Sequence, residues 1–350
     1  MASRRAFLAG LAAALAPRLT WAEAGSPAFL AAARAGDAYL LHGLAETGAS
    51  LFALPLPARG HAAAAHPTLA LAVAFARRPG TFALVIDCIR GTTAARLTPP
   101  KGRQFNGHGT FTADGGLLIT TEQAAETSEG VLGLWETETW ARVGEWPTGG
   151  IGPHDLRRLP DGRLVVANGG IRTDPSDRRK LNLDTMRPNL TLLSAKGEIL
   201  DQVALPEALH QNSIRHLTLH GEAIAFAMQW EGDPAEAVPQ LGLWRPGHAP
   251  VACPPDDTQA FAMKGYAGSI AAAPGLVALT SAPGGALMLF DAAGRPQATH
   301  RRADLSGVAL GPRGLVATDG QGGIWAVAAD GLQLLAHHPL AWDNHLVSLA

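Results

Sequence analysis

The stretch GIGPHDLRRLPDGRLVVANGG, Gly150 to Gly170, decides how the chain is read. Leu156 and Leu159 lie on a short strand, Asp161-Gly162 makes a tight turn, and Leu164–Ala167 return as a more apolar strand. A strand that feeds a hairpin usually opens on a turn residue, yet this one opens on His154. The same plan, and often the same residue, recurs along the chain.

Beyond PAFLAAARAGD (residues 27–37), which carries what helical periodicity there is, apolar runs alternate with Gly, Asp and Pro turns. Six units share one layout of two successive hairpins. The first begins at GHAAAAHPTLALAVAFARRPG, the second at HGTFTADGGLLITTE, and the third at His154. The fourth begins at SIRHLTLHGEAIAFAMQW, the fifth at YAGSIAAAPGLVALTSAPGG, and the sixth at LSGVALGPRGLVATDGQGG. Each end of the chain is incomplete: AYLLHGLAETGASLFALPLPA supplies three strands and WDNHLVSLA supplies one. Joined, they complete a seventh unit. Four-stranded repeats of this length predict an all-β, seven-bladed β-propeller whose termini share one blade, the C-terminal strand innermost. Closure of that kind leaves no long sheet edge open. An eight-bladed ring and a two-domain β-sandwich are the competing architectures, and one continuous rhythm from end to end argues against two domains.

In a propeller, residues at equal phase converge on the axis however far apart they lie in the sequence. Aligning the units on their first strand puts His61, His108, His154 and His216 at one phase in the first four, and His345 there in the seventh. The fifth and sixth carry Gly268 and Gly307 instead. In the first unit His66 competes with His61 for the position. Neutral imidazoles meeting from several directions suit a borderline transition metal, with iron the first expectation and copper the second. The two glycines would leave an open coordination position on one side. The competing interpretation is a wet channel of hydrogen-bonded histidines without metal.

Around that phase, Glu122, Asn168 and Gln229 close second strands and are candidate polar lining for a bound cofactor, and Arg215, next to His216, is a candidate anion holder. Asp155 and Asp343 flank histidines and are candidate partners for an imidazole N–H, although strand alternation turns Asp155 away from His154. GGIRTDPSDRRKLNLDTMRPN, residues 169–189, is a polar insertion with Arg178, Arg179 and Lys180; it is either a solvated loop or a lid on the channel mouth. The chain has no G-x-S-x-G, H-E-x-x-H or P-loop pattern.

Hydrophobic residues make up 47% of the chain and the net charge is −2, which suits a packed globular protein and gives no basic footprint for nucleic acid. The N-terminal SRRAFLAGLAAALA pairs Arg4-Arg5 with an apolar stretch. That pattern predicts a twin-arginine signal peptide over residues 1–24, cleaved near Ala24, and a periplasmic propeller over 25–350. No segment is long enough to leave a membrane span in the mature protein. The two cysteines, Cys88 and Cys253, fall in the first and fourth blades and are expected to stay unpaired.

Taken together, RGHAAAAHP, NGHGTF, GIGPHDL, VANGGI, KLNLDTM, SIRHL and the closing WDNHL resemble the bacterial exported family called domain of unknown function 1513. The resemblance implies a seven-bladed propeller that handles iron in the periplasm beside imelysin-type and di-haem proteins, which makes those proteins candidate partners. Members tend to show Arg-His-Phe where this chain has Arg103-Gln104-Phe105, so that position is not counted among the ligands. Three functions follow as expectations: a protein that binds and carries a metal ion or metal chelate, a metal-dependent oxidoreductase acting on iron or an iron chelate, and a non-catalytic scaffold for imelysin-like partners.

Overall fold

The computed structural model describes residues 19–77, 81–256, 259 and 261–349. The signal peptide expected over residues 1–24 lies outside the described residues up to position 18. Among the described residues, 28 strands form seven antiparallel sheets of four strands each, and no helix is long and apolar enough to cross a membrane.

The first strands of the blades are Gly60–Ala65, Arg103–Phe111, Pro153–Arg158, Asn212–His220, Ser269–Ala273 and Leu305–Gly311, and Ala341–Ser348 completes the set. Each packs against the next, and the last returns to the first, so these seven strands form a closed inner wall. The chain is a seven-bladed β-propeller. In the seventh blade the order from the axis outward is Ala341–Ser348, Phe29–Ala35, Ala38–Leu44 and Ser50–Leu56, with Phe29 opposite Ser348 and Ala33 opposite Trp342. The C-terminal strand is innermost, as the sequence predicts.

One element differs from expectation. Residues 27–37 carry helical periodicity, yet Phe29–Ala35 is a strand, and AYLLHGLAETGASLFALPLPA supplies two strands rather than three. The first five residues of Phe29–Ala35 are buried on both faces between two hydrogen-bonded neighbours. Tertiary pairing there overrides the helix preference of alanine.

Apolar residues collect in seven clusters, one in each gap between neighbouring blades. Phe226 and Trp244 fill the gap between the third and fourth blades, and Phe29 and Trp342 the gap between the sixth and seventh. The core is thus a ring of interfaces around a polar axis, and every blade depends on two neighbours. Cys88 and Cys253 are buried in different gaps and are free thiols. At the start of the described chain, Thr20 bridges Leu69 and the Trp21 indole donates to the carbonyl of His66 at 2.8 Å. The boundary expected near Ala24 falls in the turn that follows.

Trp342 sits on the closing strand, 3% exposed, its ring edge-on to His42 and His338 at 5.2 and 5.4 Å. Trp342→Ala empties this gap and is expected to cost about 3–5 kcal/mol in urea denaturation. A cost below about 1 kcal/mol, the scale of a surface change, would show that closure does not rest on it.

Candidate metal centre

Six of the seven inner strands lose register with their neighbour near the channel mouth. Pairing skips between Gly60 and Ala63, Phe105 and Gly109, Pro153 and Asp155, Ile214 and His216, and Leu305 and Val308; on the closing strand it skips from Trp342 to Leu346. A bulge of this kind bends the strand and re-aims a side chain. All five in-phase histidines lie in or beside such a skip, which turns them toward the axis.

The result is a compact cluster. His61 and His108 face each other with Nε2 atoms 3.3 Å apart. Ring centroids lie 4.6 Å apart for His61–His345, 4.7 Å for His154–His216 and His216–His345, 4.9 Å for His108–His154, and 5.8 Å for His61–His154. Two triads have ligand atoms within 4.8 Å of one another: His61, His108 and His345, and His108, His154 and His216. His108 belongs to both. Gly107 makes room for this packing: its φ is +97°, and a Cβ there would lie 2.6 Å from the His61 ring. His66 takes no part. Its Nδ1 accepts the Leu69 N–H at 3.0 Å in a turn and its ring packs on Phe111.

Burial keeps His61, His154, His216 and His345 neutral. It holds His61, His154 and His345 well below the ordinary histidine pKa and brings His216 to about 3, and each neighbouring imidazole adds to the effect. Neutral imidazole is the ligating form. Two ring nitrogens, Nδ1 of His61 and Nε2 of His345, are buried without a hydrogen-bond partner. Such orphans cost free energy unless something binds them, so the donor set fits a transition metal.

Asp155 does turn away from His154, but only to reach a neighbouring blade's ligand. Its Oδ1 lies 3.4 Å from Nδ1 of His108, and its Oδ2 accepts the Leu217 N–H at 3.0 Å. Burial alone would raise its pKa, but Arg157 and His108 outweigh burial and hold the carboxyl well below the usual range. A carboxylate on Nδ1 leaves the lone pair on Nε2, the nitrogen that faces His61. Asp343 touches no histidine; it pairs with Arg59 and lies 3.5 Å from Arg77.

The other expected residues divide. Arg215 and Gln229 line a cavity of about 240 Å³ directly over the cluster, with His61, His154 and His216 on its floor. Glu122 and Asn168 lie inside their blades rather than at the channel. Glu122 is bound by Arg142 and Thr120 at 2.9 and 2.8 Å, and Asn168 donates to Thr148 and Asn189 at 3.0 and 2.8 Å. Their pairing with the third strand of each blade is unbroken there, so alternation sends both side chains into the sheet stack. The space expected beside Gly268 and Gly307 is also filled. A Cβ at Gly307 would meet the Leu346 backbone nitrogen at 2.8 Å, and one at Gly268 would meet the Tyr266 ring at 2.9 Å. These glycines permit close packing and leave no opening.

The opening is instead the cavity, and the 169–189 insertion borders it through Ile171, Thr173, Arg178 and Lys180. Lys180 pairs with Glu231, whose other oxygen lies 3.7 Å from Arg215. Asn106, Arg77, Glu231, Tyr266 and Asn344 also line it and were not anticipated from sequence. Asn106, Arg215 and Asn344 all sit one or two places before a histidine, so the bulges that aim the imidazoles also bring these neighbours to the mouth.

The sequence profile described as "Protein of unknown function (DUF1513)" matches residues 54–349. The chain belongs to the DUF1513 family. No curated protein matches it. Among solved structures, this DUF1513 protein is similar to a chain of hydrazine synthase from Kuenenia stuttgartiensis, at 14% identity over 81% of this chain and 87% of that one, TM-score 0.60. It is likewise similar to U3-55K, at 14% identity over 81% and 82%, TM-score 0.59, and to the RRP9 WD40 repeats, at 15% over 81% of each chain, TM-score 0.56. At these identities the likeness is one of fold alone.

Two predictions follow from the geometry. Asp155→Asn is expected to weaken metal affinity about 10–100-fold, the usual cost of losing a carboxylate behind a ligating histidine. Asp343→Asn, which faces no imidazole, is expected to leave it within about threefold; competition with a chromogenic chelator measures both, and equal losses would deny Asp155 its orienting role. The second concerns acid. Histidines whose folded pKa lies below the unfolded value bind fewer protons folded than unfolded, so stability is complete above about pH 6.5 and falls as pH drops toward 3. The metal-free protein should therefore melt at lower temperature at pH 5 than at pH 7.5, and an unchanged or higher midpoint would contradict neutral burial of the cluster.

Proposed function

We propose that this protein binds a transition metal on its axial histidine cluster and carries it in the periplasm, with iron the first candidate and copper the second. The observation that carries the reading is the convergence of five imidazoles from five separate blades into two triads that share His108. Isolated channel histidines can be explained by solvation, but a buried set with unpaired ring nitrogens has a use only when those nitrogens find an acceptor of their lone pairs. The twin-arginine pattern at Arg4-Arg5 supports export, and that route suits a protein that folds before it crosses the membrane. Iron rests on the periplasmic iron-uptake setting that the family resemblance implies. Copper stands second because imidazole sites favour it on intrinsic affinity.

A triad with a cavity above it is neither a closed structural site nor one sealed from exchange. Capture and release through the cavity are what the arrangement can do. The same opening gives an oxidoreductase reading its support, since a chelate of about the cavity's size could meet the metal there.

The test is element-resolved metal content of protein purified from the periplasm. Wild type should hold about one equivalent. His108→Ala removes a ligand from both triads and should lose nearly all of it, whereas His154→Ala leaves His61, His108 and His345 intact and should keep more than about half. Equal content in wild type and His108→Ala would end the metal reading. Turnover of ferrous or ferric chelates by the loaded protein would convert carriage into catalysis.

A further inference from the structure

The cavity above the histidines is charged in a way that metal binding alone does not explain. Arg77, Lys180 and Arg215 border it, against one carboxylate among the described lining residues, Glu231. Asp343, beside Arg77, is already engaged by Arg59. The floor offers neutral imidazoles and so supplies no negative charge, and a bound divalent ion would add two more positive charges beneath this rim. Like charges gathered around one mouth raise its positive potential and favour a counter-anion there.

Three buried polar atoms on the cavity wall lack hydrogen-bond partners and describe that anion further. Two are donors, Nε of Arg215 and the terminal nitrogen of Arg77 whose carboxylate neighbour, Asp343, stands 3.5 Å away, beyond a good hydrogen bond. The third is an acceptor, Oδ1 of Asn106, a side chain that is only 3% exposed. Its assignment is fixed because the same amide donates through Nδ2 to the Pro153 carbonyl at 2.8 Å. The ligand must therefore offer carboxylate-type acceptors to the guanidinium groups and at least one donor to Asn106. The volume, about 240 Å³, lies below the range of roughly 300–1,000 Å³ for drug-sized ligands.

From these observations we infer that the cavity binds a small hydroxy-polycarboxylate, whose carboxylates engage Arg215 and Arg77 and whose hydroxyl donates to Asn106, over the histidine floor. Guanidinium forks match carboxylates geometrically. Such an anion is also a metal chelator, so on the metal-binding reading of this site the protein takes its metal as an anionic complex and discriminates against the bare hydrated cation. The anion site itself does not require that reading.

Isothermal titration of the metal-free protein with citrate, tricarballylate and inorganic phosphate tests it. Citrate should bind. Tricarballylate, which lacks only the hydroxyl, should bind about tenfold more weakly or worse, because Asn106 is left unpaired. Arg215→Gln should weaken citrate by about tenfold or more. Lys180→Gln, on the half-exposed rim and outside the folded core, should weaken it about threefold and guards against a folding defect at Arg215. Absence of citrate binding, equal affinity for tricarballylate, preference for phosphate, or wild-type affinity in both variants would each overturn the inference. Cobalt(II) uptake by the wild type is measured separately: citrate binding without cobalt uptake removes only the metal reading, and cobalt uptake without citrate binding removes only this one.

Discussion

The structure depends on one pairing, that of Ala341–Ser348 with Phe29–Ala35. A propeller has no central core; its apolar residues are divided among the gaps between blades, and each gap needs both of its walls. Were the closing strand displaced, the inner edge of the seventh blade would expose its backbone groups and the gaps on either side would lose a wall. The same strand carries His345 to the axis and Asp343 to Arg59 at the start of the first blade. Ring closure and completion of the site are therefore one event, and a chain that has not closed has no complete histidine cluster.

Electrostatics divides the site into two layers. Below, neutral imidazoles are packed against one another, with a single buried carboxylate, Asp155, held by Arg157 and by backbone N–H groups on two strands. Above, a rim of arginine and lysine outweighs its carboxylates. Neither layer could do the other's work. Carboxylates among the histidines would neutralise a metal but invite hard cations such as calcium or magnesium, whereas imidazoles at the rim would carry too little charge to draw an anion from water.

Much of this was legible in the sequence because a propeller converts repetition into convergence. The phase shared by His61, His108, His154, His216 and His345 needed no structure to be seen, since one residue type at one point in a repeat has a single geometric meaning in a closed ring. What stayed hidden were departures from ideal strand geometry. Asp155 was judged by its alternation with His154, but the skip between Pro153 and Asp155 and the adjacent blade give its carboxylate to His108. Glu122 and Asn168 close second strands and so read as mouth residues, whereas their unbroken pairing with the third strand of each blade sends them into the blades. Gly268 and Gly307 looked like vacancies because sequence cannot say which neighbour fills the space that a missing Cβ leaves. Residues 27–37 read as helical because periodicity reports local preference and not the two strands that flank the segment.

The pairing of two triads through one shared histidine bears on how an ion would behave. One triad has a single imidazole on the cavity floor, His61, and the other has two, His154 and His216; His108 and His345 are deeper. An ion entering from the cavity meets a shallow ligand first and reaches His108 by either side. A closed structural site commits all its ligands to a single ion at once, and release requires breaking the whole set. Here more imidazoles are present than one triad uses, so a departing ligand can be replaced by another before the ion is free. On the proposed metal-carrying function, exchange would proceed through a series of small barriers instead of a single large one, and His108, the only residue common to both triads, is the pivot about which the ion would turn.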